Sequence, residues 1–435
     1  DAMRTDDTGA DAALRDMRAA GVRLHTLGDM LRTGTSSPCA PRAPTPESVA
    51  LIMYTSGTTG APKGVVHTHA SMVAACAGAS SCLSIGAASV HFSYLPLAHI
   101  FERVALSTML LQGAAVGYSS GELRHFGDEL RALRPTLLLG VPRVYEKIED
   151  RFLHEHASGT SLRARYVRAA LAALTAAEHR ANRDAAAVCD VSPPWWARPL
   201  TRRAREQLGG RTALLMSGGA PLADDTQRFV RSVFATPLVQ GYGLTETAAA
   251  TAISDPTDRM PGVVGPPVPA AEICLRRVDD MGYTDPERTG GEIMVRGPTV
   301  ARGYHKDAER TASDFDNDGW FATGDIARWT ERGTLRIIDR KKNLFKTAIG
   351  EYIAVEKIET LLKKSRFAAH VYVHGRSDAA HLAAVVCVDV PHVRAYAREH
   401  GWTVDADGGG DGDDHRVERR RGGGGGACRR HTRRW

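Results

Sequence analysis

Apolar residues along this chain come in two rhythms. Short, nearly continuous runs at 49–53, 90–95, 136–140, 213–216 and 238–240, with Gly or Pro bounding most of them, read as buried strands. Between them lie longer stretches with helical spacing: 162–187 is rich in Ala and Arg, and 222–234 opens after a Gly-Gly-Ala-Pro turn. Strands that alternate with helices predict an α/β domain with much parallel sheet. From residue 271 the pattern changes. Segments 271–277, 292–296, 326–329 and 334–338 read as a strand-rich, partly antiparallel region, the last two joined by a Glu331-Arg-Gly333 hairpin turn. Beyond Asp339-Arg-Lys-Lys342 a compact βαβ-like piece is expected, with a helix at 355–364 and strands at 370–374 and 382–388. Residues 1–46 read as a helix-rich lead-in that ends in a Ser/Pro/Thr loop. From about Asp405 the chain turns to Asp/Gly and Arg/Gly low complexity, which buries too little apolar surface to order itself.

Composition narrows the class. The chain has 435 residues at 43% hydrophobic, enough for two or three globular domains. No apolar run approaches the ~18–20 residues a membrane helix requires, and the first thirty residues lack an apolar signal core. Cys39, Cys76, Cys82, Cys189, Cys274, Cys387 and Cys428 show no paired short spacing. That pattern argues against a zinc site or disulfide framework and suits a reducing, intracellular compartment. The net charge of +6 is local: residues 416–435 hold eight Arg against one Glu, which leaves −1 for the rest. A nucleic-acid enzyme spreads its basic face over a folded groove, so no nucleic-acid partner is expected. Salt-dependent binding through the tail alone is the alternative.

Chemistry concentrates in four strings. Tyr54-Thr-Ser-Gly-Thr-Thr-Gly-Ala-Pro-Lys-Gly64 follows the first apolar run. Its Gly-rich backbone can wrap N–H groups around an anion, and Thr55, Ser56, Thr58 and Thr59 add hydroxyl donors. Lys63 adds a point charge for a phosphate. A Walker loop needs Gly before its lysine and Ser or Thr after it; Pro62 and Gly64 fail both positions. A flexible hairpin turn is the plainer alternative. Gln240-Gly-Tyr-Gly-Leu-Thr-Glu-Thr247 lies just past a strand end, where open α/β sheets bind ligands. Gly241 and Gly243 suit close backbone approach to a ligand, and Tyr242 offers a flat face to an adenine ring. Thr245 can donate to a phosphate, and Glu246 is a hard oxygen ligand suited to Mg²⁺. Ser217-Gly-Gly-Ala-Pro221 also follows a strand and can line the same pocket. In Thr323-Gly-Asp325 the carboxylate can accept both ribose hydroxyls, or simply cap a surface turn. His67 and His69, two apart, are expected to be ordinary surface histidines.

The same strings, in this order, resemble those of the adenylate-forming superfamily, which activates a carboxylate with ATP and passes the acyl group to a thiol. Finer matches look like the eukaryotic long-chain fatty acyl-CoA synthetases: Tyr94-Leu-Pro-Leu-Ala-His-Ile-Phe-Glu-Arg103, Gly140-Val-Pro-Arg-Val-Tyr-Glu-Lys-Ile148, Asp339-Arg-Lys-Lys-Asn-Leu-Phe-Lys346 and Gly350-Glu-Tyr-Ile-Ala-Val-Glu-Lys-Ile358. The resemblance runs from about Gly21 to Trp402. It implies a large, multi-subdomain AMP-binding domain at 1–338, a small α+β domain at 339–403 and a disordered tail at 404–435. It further implies ATP held by Thr55, Ser56, Gly57, Thr58, Thr59, Gly60 and Lys63, and Mg²⁺ held by Thr245 and Glu246. Adenine would lie against Gly219, Ala220 and Tyr242, with Gly241 and Gly243 beside it, and ribose on Asp325 and Arg340. His99 would stand near the carboxylate being activated; as a bare residue it reads as a packed or capping histidine. Asp339 would be a hinge, and Gly350 and Glu351 part of the loop for thiol attack by CoA. The substrates implied are a long-chain fatty acid, ATP and CoA. Relatives of this branch often associate with membranes such as the endoplasmic reticulum, although this sequence shows no anchor.

Two departures set expectations for activity. The family has a longer N-terminal region, so part of the large domain's sheet and acyl tunnel is expected to be missing, and the small domain is expected to be incomplete. The family's adenylation step also uses a lysine near the C-terminus, whereas Lys364 is the last lysine here. Loss of one electrostatic stabiliser costs about 10²–10³ in rate, and Arg does not reproduce a compact ammonium. Impaired catalysis is therefore expected, with a non-catalytic nucleotide- or acyl-binding protein as the alternative. Ala348-Ile349 replaces the polar pair usual before Gly350. The abrupt tail composition resembles out-of-frame or intron-derived translation, which transcript sequence past Trp402 would test.

Overall fold

The computed structural model describes residues 8–55, 62–183, 193–341, 344–346, 352–374, 382–400, 402–404 and 417–419. It divides into two compact units, Asp1–Ser48 and Val49–Trp435. The first holds helices α1 (Thr8–Ala19) and α2 (Leu27–Ser36). A capping box starts α2: the Asp29 amide donates to Thr26 Oγ1 and the Thr26 amide to Asp29 Oδ2.

In the second unit the strands are β1 (Val49–Thr55), β2 (Lys63–Thr68), β3 (Val90–Ser93), β4 (Ala115–Tyr118), β5 (Leu137–Gly140), β6 (Leu214–Ser217), β7 (Leu238–Tyr242) and β8 (Ala252–Ile253). Then come β9 (Glu272–Arg276), β10 (Gly291–Arg296), β11 (Gly303–Tyr304), β12 (Phe321–Trp329) and β13 (Leu335–Arg340). Helices α3 (His69–Cys82), α4 (Ile100–Leu111), α5 (Phe126–Leu133), α6 (Pro142–His156), α7 (Leu162–Arg183), α8 (Arg198–Gln207), α9 (Asp224–Phe234) and α10 (Ala308–Asp314) connect or cover them.

The predicted α/β core is a six-stranded sheet in the order β4-β3-β5-β6-β7-β8. It is parallel from β4 through β7, with β8 antiparallel at the edge. Both faces are covered, which is why its strands read as unbroken apolar runs. Side-chain alternation still sorts them. Leu138 and Leu215 join the core beneath α6, α7, α8 and α9, whereas Leu137, Leu139 and Met216 face a second core with Met109, Ile293 and Leu335. Tyr145 of α6 pins the sheet: its buried hydroxyl lies 3.0 Å from the Leu138 carbonyl and 2.9 Å from the Met216 carbonyl.

The strand-rich region forms a four-stranded antiparallel sheet, β13-β12-β10-β9, whose register sets Asp325 opposite Arg340. A third sheet, β1-β2-β11, is antiparallel throughout. Here the first apolar run departs from expectation. In β1 only Met53 is buried, and Val49, Ile52 and Tyr54 are exposed. The reason is that β1 is an edge strand with β2 as its sole partner in the sheet. The helix expected from 222 begins at Asp224, because Ala223 is extended and Asp224 and Asp225 favour the amide-rich first turn. The helix expected over 162–187 runs from Leu162 to Arg183, beyond which it passes outside the described residues.

Past Arg340 the unit holds β14 (Leu344–Lys346), β15 (Tyr352–Ala354), α11 (Val355–Leu362), β16 (Ala368–His374), β17 (Ala383–Val388), α12 (Val390–Glu399), β18 (Trp402–Val404) and β19 (Val417–Arg419). The βαβ-like expectation needs correction. Strand β15 pairs with β14, and β16 pairs antiparallel with β17, so α11 links two separate hairpins instead of two parallel neighbours. Within the tail expected to lack order, β19 pairs antiparallel with β18 through backbone hydrogen bonds. Lys364 ties the end of α11 to the start of α9 through Asp225 at 2.5 Å.

Replacing Tyr145 with Phe removes the donor shared by two strand carbonyls without opening a cavity. It should destabilise the protein by about 1–3 kcal/mol, read as a lower denaturant midpoint. An unchanged midpoint would mean that the two carbonyls do not depend on this hydroxyl.

Candidate active site

The site is built on the turn that leaves β7. At Gly243 an added Cβ would sit 2.1 Å from the Ala249 carbonyl oxygen, and at Gly241 one would sit 2.6 Å from Met216 Cε. Each glycine is therefore required by the protein's own packing on its Cβ side, in addition to any close approach of a ligand to its backbone. The turn folds back through Ala249 N to Leu244 O and Thr251 N to Tyr242 O, both 3.0 Å. It carries two successive left-handed alanines, Ala248 (φ 50°) and Ala249 (φ 62°). Non-glycine residues held there cost energy and cluster at functional sites. Two outside contacts fix the turn: the Ala301 amide donates to the Glu246 carbonyl at 2.7 Å, and His67 Nε2 reaches the Thr245 carbonyl at 2.6 Å.

His67 was expected at the surface and is instead fully buried. It lies on β2 and points to the turn, whereas His69 opens α3. A carbonyl only accepts, so Nε2 carries the proton, and Nδ1 lies 3.1 Å from Ser71 Oγ. Burial pushes its pKa down, opposed by the Thr245 carbonyl and the Glu246 carboxylate, so the ring is neutral at pH 7.

Glu246, only 5% exposed, forms an ion pair with Lys63. The Tyr304 hydroxyl of β11 joins them, accepting from Lys63 Nζ at 2.9 Å and lying 3.0 Å from both Glu246 Oε1 and Asp314 Oδ2. Burial first, then the two carboxylates, push the Tyr304 pKa far above its usual value, so it remains a donor. Four residues upstream of Glu246, the Tyr242 hydroxyl donates to Asp325 Oδ2 at 2.7 Å. Burial and the Asp325 charge push the Tyr242 pKa well up. Asp325 Oδ1 in turn lies 3.4 Å from Arg340 Nε, as the β12–β13 register dictates.

The structure thus brings together Lys63 and Glu246 in one cluster, with Thr245 next to Glu246 in the chain, and Tyr242, Asp325 and Arg340 in another. Gly219 (φ 83°) and Ala220 are exposed just past β6, with the Phe101 ring against Gly218. Ser217 Oγ and Thr55 Oγ1 are buried hydroxyls with no hydrogen-bond partner among the described residues, one after β6 and one at the end of β1. His99 is exposed at the N-cap of α4 and makes no capping bond. Ser56, Gly57, Thr58, Thr59, Gly60, Gly350 and Glu351 lie outside the described residues. His67, Tyr304 and Asp314 are not site residues in the sequence reading, and no local pattern ties Tyr304 to Lys63, 241 residues away.

A narrow apolar cavity of about 40 Å³ lies beside the turn, between α4, β5 and β6. Phe101, Val104, Met109, Leu139, Met216 and Ala249 line it. An anion-handling cluster, a carboxylate-bearing second cluster and an apolar cavity therefore share one strand end, the crevice position of an open α/β sheet. That arrangement sets charged side chains next to an apolar cavity.

Residues 4–305 match the family described as AMP-binding enzyme, and the chain belongs to it. It is 39% identical over 371 residues to fatty acyl-CoA synthetase A of Dictyostelium discoideum, spanning 85% of this chain and 54% of that one. It is 40% identical over 385 residues to the peroxisomal long chain acyl-CoA synthetase 6 of Arabidopsis thaliana, spanning 88% and 54%. The chain spans about half the length of the curated relatives it matches. Among solved structures it resembles the A-PCP didomain of the carboxylic acid reductase from Segniliparus rugosus in complex with AMP. That likeness has a TM-score of 0.66 at 28% identity, over 89% of this chain and 50% of that one.

Replacing His67 with Ala leaves a small buried void and removes the donor to the Thr245 carbonyl. The expected loss is about 2–4 kcal/mol, measured as a shift in denaturant midpoint. Parental stability in that variant would show that the turn does not lean on His67.

Proposed function

We propose that this chain is the nucleotide-binding portion of a long-chain fatty acid–CoA ligase. The fatty carboxylate attacks the α-phosphorus of ATP, pyrophosphate leaves, and the acyl-adenylate then passes its acyl group to the CoA thiol with release of AMP. The observation that carries the reading is the pair of clusters set four residues apart on one turn, Lys63–Glu246 and Tyr242–Asp325–Arg340, beside an apolar cavity. The similarity to fatty acyl-CoA synthetases over 85–88% of the chain supports it.

Each residue then has a task. Lys63 and the 55–60 loop take the phosphates, Tyr242 with Gly219 and Ala220 the adenine, and Asp325 with Arg340 the ribose. The buried Ser217 and Thr55 hydroxyls suit a ligand that completes their hydrogen bonding. Among the described residues no group of three or more His, Cys, Asp or Glu gathers for a metal. Mg²⁺ is held by one or two carboxylates and substrate phosphates more than by a protein cage. Glu246 and Thr245 would hold it, and it would neutralise phosphate charge as the bond to pyrophosphate breaks. His99 at the start of α4 stands nearest, in this reading, to the carboxylate. The fatty chain enters the cavity lined by Met109 and Met216, whose unbranched side chains can yield to widen it.

Residues 339–403 belong to this reading as the small domain that turns about Asp339 between the two half-reactions, bringing Gly350 and Glu351 to the thiol. Peripheral contact with a membrane also belongs to it; among the described residues no helix is long and apolar enough to cross one. Residues 365–435 supply no lysine, so a binding-only protein is the second reading.

Fatty-acid-dependent ATP–pyrophosphate exchange tests the choice, run on this chain beside one with a lysine-bearing C-terminal region. Exchange confined to the second supports the ligase reading and assigns the defect to that lysine, and activity in both removes the lysine argument. Silence in both from folded protein favours the binding-only reading. In the active form Glu246→Ala should lower exchange about 10²-fold. Asp325→Ala should weaken nucleotide binding about tenfold or more, since a hydrogen bond to a charged group contributes about 1.5–3 kcal/mol. Unchanged nucleotide affinity in that variant would refute the ribose assignment.

A further inference from the structure

The Lys63–Glu246 pair raises a problem for any nucleotide-bound state. Lys63 is needed at a phosphate and Glu246 at a cation, yet here each neutralises the other. Backbone motion does not resolve this easily. Tyr304 and Lys63 stand on neighbouring strands, with Tyr304 paired to Val65, and the Glu246 carbonyl is held by Ala301. The exchange must be made by side chains. When Glu246 turns to a cation, Lys63 loses its counter-ion and, unless something else holds it, relaxes towards solvent.

Tyr304 is built for that moment. Its hydroxyl already accepts from Lys63 Nζ at 2.9 Å and has two carboxylates at equal range, Glu246 Oε1 and Asp314 Oδ2, each 3.0 Å away. A phenol has one hydrogen, so it serves one carboxylate at a time. The lone pair that holds Lys63 is unaffected by which one it serves. The ring is fixed as well: Phe315 meets it edge-on at 5.6 Å, and Lys63 Nζ lies 4.6 Å from its centroid.

We propose that Tyr304, with Asp314 as its alternative acceptor, is a positioning residue that keeps Lys63 aimed into the site when Glu246 is drawn to a cation. The hydroxyl donates towards Glu246 in the ligand-free state and towards Asp314 once Glu246 is engaged. Tyr304 itself touches no reacting atom. The consequence for ligand binding rests on the reading given under Proposed function, whereas the hold on Lys63 does not.

Two measurements on this chain separate the two. The first is the amine reactivity of Lys63 without ligand, read by peptide mass spectrometry after brief acetic anhydride labelling. Tyr304→Phe should raise Lys63 labelling several-fold relative to other lysines while far-UV circular dichroism stays parental; unchanged labelling overturns the proposal. If Tyr304→Phe does not fold, Asp314→Asn is labelled in the presence of Mg²⁺, the state in which the hydroxyl turns to Asp314; Lys63 labelling should rise there, and parental labelling overturns the proposal. The second is ATP affinity with and without Mg²⁺ by calorimetry. The gain on adding Mg²⁺ should shrink about tenfold in Tyr304→Phe, the loss of one hydrogen bond to a charged group. An equal gain in both proteins overturns the proposal, since a merely structural residue would not alter this ratio. No Mg²⁺-dependent gain in the parent would instead sink the nucleotide reading, with the labelling result still deciding the role of Tyr304.

Discussion

The site depends on a backbone turn that closes on itself with no room to spare. Gly243 lies against the Ala249 carbonyl so closely that any side chain would displace the turn. That contact forces the next residues through two left-handed alanines and presents Glu246 inward. Strain of this kind persists only where surrounding structure over-determines it. Here the constraint comes from three directions: the Thr251 amide folding back on Tyr242, the Ala301 amide on Glu246, and His67 on Thr245. Two of these carbonyls are satisfied from outside the turn and one from its own far end, so the turn is braced before any ligand arrives. Preorganisation of that sort keeps the ordering cost out of the binding step.

Charge placement follows from that rigidity. A largely buried pair such as Lys63–Glu246 adds little net stability, because desolvation offsets most of the attraction, yet removing one partner leaves an uncompensated charge at about 3–5 kcal/mol. Its retention makes more sense as stored electrostatics than as a fold-holding contact. The hydrophobic cores on both faces of the parallel sheet carry the stability, with Tyr145 tying two of its strands together. Holding a costly pair is possible because the scaffold beneath it is built from continuous apolar strands.

Sequence made the parallel sheet legible because strands buried on both faces need unbroken apolar runs, and Leu137–Gly140 is buried along its whole length. Strand partners were not legible. A five-residue apolar run reads the same whether one face is covered, as in β1, or two, and periodicity does not say that β16 pairs with β17 instead of running parallel to β15. Within the site, Lys63, Glu246 and Asp325 stood out because each sits in a compact string with its own chemistry. Tyr304 did not, being 241 residues from Lys63 and 58 from Glu246 along the chain. Gly243 fits two physical reasons at once. Close approach of a ligand and close approach of backbone both demand the absence of a side chain, and sequence alone does not distinguish them. The burial of His67 is not legible either, because a neutral histidine serving one carbonyl leaves no pattern.

The apolar cavity and the turn after β7 are physically one object. Met216 lines the cavity and also fills the space beside Gly241, and Ala249 belongs to both the turn and the cavity wall. At about 40 Å³ the cavity is too small for a long apolar ligand, so one enters only if a lining side chain moves. The flexible candidate is Met216, and its displacement removes the packing on Gly241 at the root of Tyr242 and Glu246. Close-packed interiors transmit such a shift instead of absorbing it. Occupancy of the apolar site therefore bears directly on the segment that carries both charged clusters.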